Sequence, residues 1–343
     1  MSKLVTLVVA VKNEDEAIAP FLEAIDREVD YPDVELEILF VDDGSTDNTL
    51  QALQLAAQRD SRVRWLKLSR NFGKEAAMTA GLDHARGDGV IPMDVDLQDP
   101  PALINDFIRL WLDEGYAMIY GVRVSRHEDT RRKRTSANLF YRLFNRISPT
   151  PIPDNAGDFR LLDRQVVEAL KRLPERNRFM KGLFAWSGYR SVGVPYERPA
   201  RQVGESKFNL WKLWNFALDG LVGFSTLPLR VWSYIGGGVA LLSFVYILVI
   251  VFKALVFGRD TPGYASVMSA VLFFGGMQLL SIGVLGEYMA RLFVEVKQRP
   301  LYLVEVDSLG SNKAESIQHG KTFEGSDKRI EDADDPAHGE RER

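Results

Sequence analysis

The chain has 343 residues, enough for one large domain and a further part. Its formal net charge of −4 argues neither for nor against a polyanionic partner, although the charges are unevenly spread. There is no cysteine and there are only four histidines, none paired at metal-ligand spacing. Disulfides, thiolate zinc sites and cysteine nucleophiles are therefore excluded, and any metal site has to be built from carboxylates.

Leu4–Val11 is a continuous apolar run, as a parallel strand covered on both faces requires. It is too short for a secretory leader and ends at Lys12-Asn13-Glu14, so the first domain is expected to stay in the cytoplasm. Asn13–Glu16 opens a helix carrying Ile18, Phe21, Leu22 and Ile25. Leu36–Val41 is a second strand, ending in Asp42-Asp43-Gly44-Ser45-Thr46-Asp47 and followed by a helix from Thr49 to Gln58. Val63–Leu68 is a third, followed by Arg70-Asn71-Phe72-Gly73-Lys74 and a helix from Glu75 to Ala85. Strands alternating with helices predict βαβ units and a mostly parallel sheet, with ligands at the strand C-terminal ends.

The fourth strand, Val90–Met93, runs into Asp94, Asp96, Gln98 and Asp99 before Pro100-Pro101. In an extended segment residues i and i+2 face the same way, so Asp94 and Asp96 are expected to converge. Two hard carboxylates at a strand end suit Mg²⁺ or Mn²⁺ holding a substrate's phosphates. A solvated acidic turn has the same pattern, and the choice between them rests on the neighbouring segments. The Rossmann and P-loop glycine motifs are both absent.

Three strand ends in order, A-V-K-N-E, V-D-D-G-S-T-D and D-V-D-L-Q-D, resemble the GT-A family 2 glycosyltransferases, most closely those acting on polyprenyl phosphates. Asp158-Phe159-Arg160 and Arg201-Gln202-Val203-Gly204-Glu205-Ser206-Lys207-Phe208 extend the resemblance, which runs from about Lys3 to Val304. Ala10 and Lys12 stand where the family often has proline and tyrosine.

Tyr116–Val122 is another strand. The segment 123–146 is basic and amphipathic, as a membrane-surface element, a phosphate site or a solvated face would be. Ser148–Asp158 reads as a mobile loop over the site. Phe208–Ser225 puts Trp211, Trp214, Leu218 and Leu221 on one side, as an interfacial helix does. Val231–Phe257 and Ala265–Leu285 are long enough to cross a bilayer. Lysine and arginine outnumber on the domain side of this pair, placing the first domain and both termini in the cytosol.

The expected organisation is α/β: a GT-A nucleotide-diphospho-sugar transferase domain with a mostly parallel sheet over 1–207. An interfacial amphipathic helix (208–230), two C-terminal transmembrane helices (231–257 and 265–289), a juxtamembrane segment (290–307) and a disordered tail (308–343) follow. The resemblance implies inverting, metal-dependent transfer of a sugar from a nucleotide-sugar to a membrane polyprenyl phosphate. Glucose from UDP-glucose is the first choice. Mannose, GlcNAc or aminoarabinose, or a scaffold without turnover, are the alternatives. A processive polysaccharide synthase is disfavoured, because no Q-x-x-R-W occurs and two spans cannot enclose a pore. No nucleic acid is expected, and the resemblance implies a homo-oligomer, a tetramer, in the inner (plasma) membrane.

By the same resemblance Asp94, Asp96 and Gln98 are the metal residues, binding Mg²⁺ or Mn²⁺. Ala10, Lys12, Glu14, Val41, Asp43, Met93, Asp94, Arg201 and Lys207 would hold the nucleotide-sugar. Arg123, Arg132 and Ser136 are candidates for the acceptor phosphate, because guanidinium forks match phosphate oxygens. Asp96 and Asp158 are the catalytic candidates. A phosphate nucleophile is already anionic, so it needs positioning more than deprotonation.

Overall fold

The computed structural model describes residues 2–124, 153, 156–176, 178–197, 227–257 and 263–309. The expected helix at 123–146 beyond Val124, that at 208–225, most of the 148–158 loop, and Arg132, Ser136, Arg201 and Lys207 lie outside them, and Arg123 instead ends a strand.

One eight-stranded sheet carries the domain. Its strands are β1 (Lys3–Val11), β2 (Val34–Asp42), β3 (Val63–Leu68), β4 (Gly89–Asp94), β5 (Met118–Arg123), β6 (Ala156–Asp163), β7 (Ser191–Tyr196) and β8 (Val304–Asp307), in the order β7-β5-β6-β4-β1-β2-β3-β8. β1 pairs in parallel with β2 and β4, β2 with β3, and β5 with β7. β6 runs antiparallel to both β4 and β5, and β8 antiparallel to β3.

The central strands are apolar on both faces because helices cover both. Helices α1 (Ile18–Glu28), α2 (Thr49–Arg59) and α4 (Leu103–Glu114) complete one core layer, in which Phe21 meets Phe40 edge-on at 5.8 Å and Phe107 lies 4.9 Å from Phe159. Helices α3 (Lys74–His84), α5 (Arg164–Lys171) and α6 (Met180–Trp186) cover the other face. Helix α3 approaches β1 so closely that a Cβ on Gly81 would lie 2.1 Å from Val8 Cγ1, so only glycine fits there.

At the end of the sheet where β1 and β2 begin, Glu37 is buried with its partners. Thr6 Oγ1 donates to it at 2.6 Å and Arg64 Nη1 at 2.7 Å, and the Arg86 amide adds a third bond. Burial alone would raise its pKa. The bonds from Thr6 and Arg64 outweigh burial and hold it below the ordinary glutamate value.

Three expectations change. Asp158 does not belong to a loop. The antiparallel pairing of Val122 with Ala156 and of Tyr120 with Arg160 draws it into β6. The segment expected as a juxtamembrane linker is instead the end of a helix followed by β8, and Ser308, expected to be disordered, is fastened to Trp65 by bonds in both directions. Two long helices, α7 (Leu227–Phe257) and α8 (Tyr264–Lys297), contain the apolar segments. Among the described residues one helix, Ser266–Lys297, is long and apolar enough to cross a membrane. Tyr234–Tyr246 forms a shorter apolar stretch.

Candidate active site

The loops after β1 and β2 are stitched together by backbone-directed bonds. Asn13, at φ +53°, donates its amide to Ser45 Oγ at 3.0 Å and accepts the Thr46 amide on Oδ1 at 2.8 Å. The Glu14 amide donates to Thr49 Oγ1 at 2.9 Å. Gly44 has φ +66°, and a Cβ there would lie 2.6 Å from the backbone of Arg70 and Asn71. The turn after β2 therefore needs glycine on two counts. Asp43 accepts the amides of Phe72 and Gly73, at 2.7 and 2.9 Å, one on each oxygen. Burial raises its pKa despite these bonds and the nearby Lys12. Its carboxylate thus braces the loop after β3, and only its remaining lone pairs face other partners.

Ala10 lies in register between Val41 and Asp94, at the tips of three adjacent strands. Val41 is fully buried in the core beneath, whereas Ala10, Met93 and Asp94 line an open cleft of about 360 Å³. The convergence of Asp94 and Asp96 by strand alternation does not hold. β4 ends at Asp94, and Val95–Asp96 turn away into a bend with Leu97 at φ +55°. Asp96 Oδ1 accepts the Gln98 amide at 3.2 Å, as a short turn dictates, and neither residue belongs to the cleft wall.

The cleft wall instead brings Asp94 together with Lys74, Asp99, Arg123 and Asp158. Lys74 Nζ lies 2.6 Å from Asp94 Oδ1, 2.9 Å from Oδ2 and 3.7 Å from Asp158 Oδ2. Burial works against its charge, but the two aspartates outweigh burial and raise its pKa. Among the described residues, Asp158 Oδ1 is buried with no hydrogen-bond partner, although the side chain as a whole is half-buried. Burial would raise its pKa, yet Lys181, Lys74, Arg160 and Arg123 hold it below the ordinary carboxylate range. The carboxylate is therefore ionised at neutral pH and suited to orienting or charge-stabilising work, not to donating a proton. Beside it Glu75, whose Oε2 is also buried without a partner, is pushed up to about 7 by burial and by Asp158. On the far wall Tyr196 donates to Asp99 Oδ1 at 2.5 Å and receives a bond from Arg123 Nε at 3.2 Å. Burial and Asp99 push that tyrosine up to about 12.

Lys74, Glu75, Asp99 and Lys181 were not read from the sequence as site residues. Lys74 and Glu75 follow N-F-G directly after a strand, and the strand-end rule that selected Asp94 applies equally to them. Nothing in the local sequence marks Lys181.

Among the described residues no three acidic or histidine side chains lie close enough to hold a metal ion. The cleft nevertheless suits a divalent cation. Its donors are hard carboxylate oxygens, Asp94 already holds one cation in the Lys74 ammonium, and a buried Asp158 oxygen has no partner among the described residues.

The sequence profile described as Glycosyl transferase family 2 matches residues 6–171, and that of the GtrB C-terminal hairpin matches 227–292. An uncharacterized glycosyltransferase of Synechocystis is 48% identical over 87% of this chain and 94% of its own length. The chain belongs to glycosyl transferase family 2. A prophage-derived bactoprenol glucosyl transferase of Shigella flexneri is 49% identical over 90% of this chain and 99% of its own. Among solved structures, a mannosyltransferase from Pyrobaculum calidifontis in complex with GDP-Man and Mn²⁺ is 19% identical. It covers 87% of this chain and 76% of its own, with a TM-score of 0.44. As a family 2 glycosyltransferase the chain is an enzyme, and its carboxylate cleft at the strand C-terminal ends lies where ligands bind in α/β sheets.

Proposed function

We propose that this enzyme transfers glucose from UDP-glucose to a membrane polyprenyl phosphate. The observation that carries the proposal is 49% identity to bactoprenol glucosyl transferases along 90% of the chain, through the domain and the hairpin alike. The two helices support a membrane setting. α7 and α8 have 31 and 34 residues, about 46 and 51 Å at 1.5 Å per residue, against a bilayer core of about 30 Å. Leu241, Leu242, Phe244, Leu279 and Leu280 are all more than half exposed on them. A helix pair apolar all round needs a lipid or protein surround, and in this reading both helices span the bilayer and the apolar faces also serve self-association.

Asp94 at the end of β4, with Asp96 and Gln98 on the turn that follows it, would hold Mg²⁺ or Mn²⁺ beside the donor's diphosphate. When bound, the cation neutralises charge on the leaving diphosphate. Ala10 and Met93 line the donor side of the cleft, with Lys12, Glu14 and Asp43 on the stitched loops above. Lys74 supplies a second positive charge between Asp94 and Asp158. Asp158, kept ionised by four cations, orients the acceptor or stabilises positive charge at the anomeric carbon. Arg123, with Arg132, Ser136, Arg201 and Lys207, is assigned to the phosphates.

The test is release of UDP from UDP-glucose by the purified full chain in lipid nanodiscs. Release is expected only when polyprenyl phosphate and Mn²⁺ or Mg²⁺ are both present. UDP release indifferent to the lipid, or lipid-dependent release of GDP from GDP-mannose or of UDP from UDP-GlcNAc in place of UDP-glucose, would overturn the assignment.

A further inference from the structure

The far wall of the cleft is built round a chain of three side chains, two of them buried. Asp99 and Tyr196 are 4% and 6% exposed. Asp99 comes from the turn after β4 and Tyr196 from the end of β7, the edge strand, with β5 and β6 lying between β7 and β4 in the sheet. Tyr196 Oη donates to Asp99 Oδ1 at 2.5 Å and accepts a bond from Arg123 Nε at 3.2 Å. Parallel pairing of β7 with β5 sets Tyr196 in register with Arg123. The tyrosine ring fits because Gly121 leaves room for it. A Cβ on Gly121 would lie 2.7 Å from Tyr196 Cε1, and Phe159 meets the ring edge-on at 6.4 Å.

Arg123 is the member of this chain that meets open space. Its side chain is 27% exposed and lines the cleft with Asp94 and Asp158. Its Nη2 lies over Gly157, where an added Cβ would be 3.4 Å away, one residue from Asp158. Among the described residues its ion-pair contact is Asp99 Oδ1 at 4.0 Å, too long for a hydrogen bond. A guanidinium carries five N–H donors in a fixed plane. With Nε–H committed to Tyr196, the plane is held, and the edge formed by Nη1 and Nη2 is left for a two-pronged anion such as a phosphate. Tyr196 has a single hydroxyl proton, and it goes to Asp99, so the oxygen's lone pairs face Arg123. An untethered arginine loses rotamer freedom when it grips a ligand, whereas one already held does not.

We propose that Tyr196 and Asp99 are positioning residues, which fix the Arg123 guanidinium so that its Nη edge is presented to a substrate phosphate beside Asp158. Both act through Arg123 and neither touches the substrate. The proposal rests on the assignment of Arg123 to the phosphates made above. The acceptor's phosphate and the donor's diphosphate share the chemistry that Arg123 would grip, and separate binding measurements tell them apart. Packing alone accounts for less, because a ring that only filled the space over Gly121 and against Phe159 would need no hydroxyl between a carboxylate and a guanidinium.

The test is a double-mutant cycle on the full chain in nanodiscs, with calorimetric Kd values for geranyl phosphate and, separately, for UDP with Mn²⁺. Tyr196→Phe removes the hydroxyl and keeps the ring. It is expected to weaken one of the two ligands about tenfold and leave the other within about twofold, and the ligand that suffers carries the phosphate held by Arg123. In an Arg123→Ala background the same substitution should cost less than about twofold, because the group it positions is gone. A Tyr196→Phe chain that binds both ligands like wild type overturns the proposal, and so does a tenfold loss that persists without Arg123. Asp99 loses its donor in that variant, which should melt a few degrees lower. Asp99→Asn, which keeps an oxygen to accept from Tyr196, is therefore run in parallel and should lose about threefold with the same dependence on Arg123. Wild-type affinities in Asp99→Asn would remove Asp99 from the device. Wild-type protein that binds geranyl phosphate but transfers no glucose to it would sink the functional reading and leave the positioning role standing. Wild type that binds neither ligand would overturn both.

Discussion

The two ends of the central sheet treat a carboxylate in opposite ways. At one end Glu37 receives bonds from Thr6, Arg64 and Arg86, so its burial is compensated. At the other, half-buried Asp158 keeps a buried Oδ1 with no hydrogen-bond partner among the described residues, as does Glu75 Oε2 beside it, while cations act on both. A satisfied buried charge belongs to the scaffold. A buried charge held by neighbouring cations but left short of hydrogen bonds is arranged to meet something else.

Substitutions at the two ends should therefore separate turnover from stability. The largest effect is expected for Asp96→Ala, a loss of transfer on the order of 10³-fold with membrane insertion intact, measured as UDP release and membrane fractionation. Near-normal turnover would end the assignment of Asp96 to the cation. Asp158→Asn should lose about 10²-fold in kcat and lower the apparent Tm only modestly, because the surrounding cations hold its pKa down and so favour the charged form in the fold. A near-normal kcat with a large fall in Tm would make Asp158 part of the scaffold and erase the contrast. Lys74→Met should lower kcat by roughly tenfold and leave the fold unchanged by circular dichroism.

At the opposite end Glu37→Gln should leave kcat within a few-fold but destabilise the domain by about 3–5 kcal/mol, since Arg64 is left buried without its counter-charge. The smallest effect concerns pH. Glu37, with its pKa lowered, contributes stability that is present above the ordinary value of 4.5 and lost as pH falls below it. Glu75, raised to about 7, contributes stability that is complete below 4.5 and is lost as pH rises through 7. Thermal melts of wild type should thus weaken slightly from pH 5 to pH 7.5, and Glu75→Gln should flatten that slope. A slope unchanged in the variant would assign it to another group.

Much of this was legible in the residues. The apolar runs of β1 to β4 predict buried strands because a parallel sheet under two helical layers leaves no face for polar side chains. The placement of acidic and small residues at their ends follows from the same topology. Helix α4 was passed over although Ile104, Phe107, Ile108 and Trp111 have helical spacing, since the turn motifs before it drew the reading. β7 was hidden by Gly193 and Pro195 within it, and β8 by its alternating charges, which suit an edge strand and nothing more specific. Strand alternation does not reach Asp96, because β4 stops at Asp94 and Asp96 lies on the turn beyond it. Lys181 is tertiary information. Only the packing of α6 against β6 brings it near Asp158.

The return of the chain as β8 has a mechanical consequence. A catalytic domain joined to the two long helices by a single connection would be free to pivot about it. Here the polypeptide leaves α8, bonds Tyr302 to Asp83 on α3, and zips onto the free edge of β3. Two ties, one of them woven into the sheet, join the stretch after α8 to the domain. Helix α3, which carries Lys74 at its other end, is tied directly to that stretch, so a shift of α8 has a bonded route to the carboxylates.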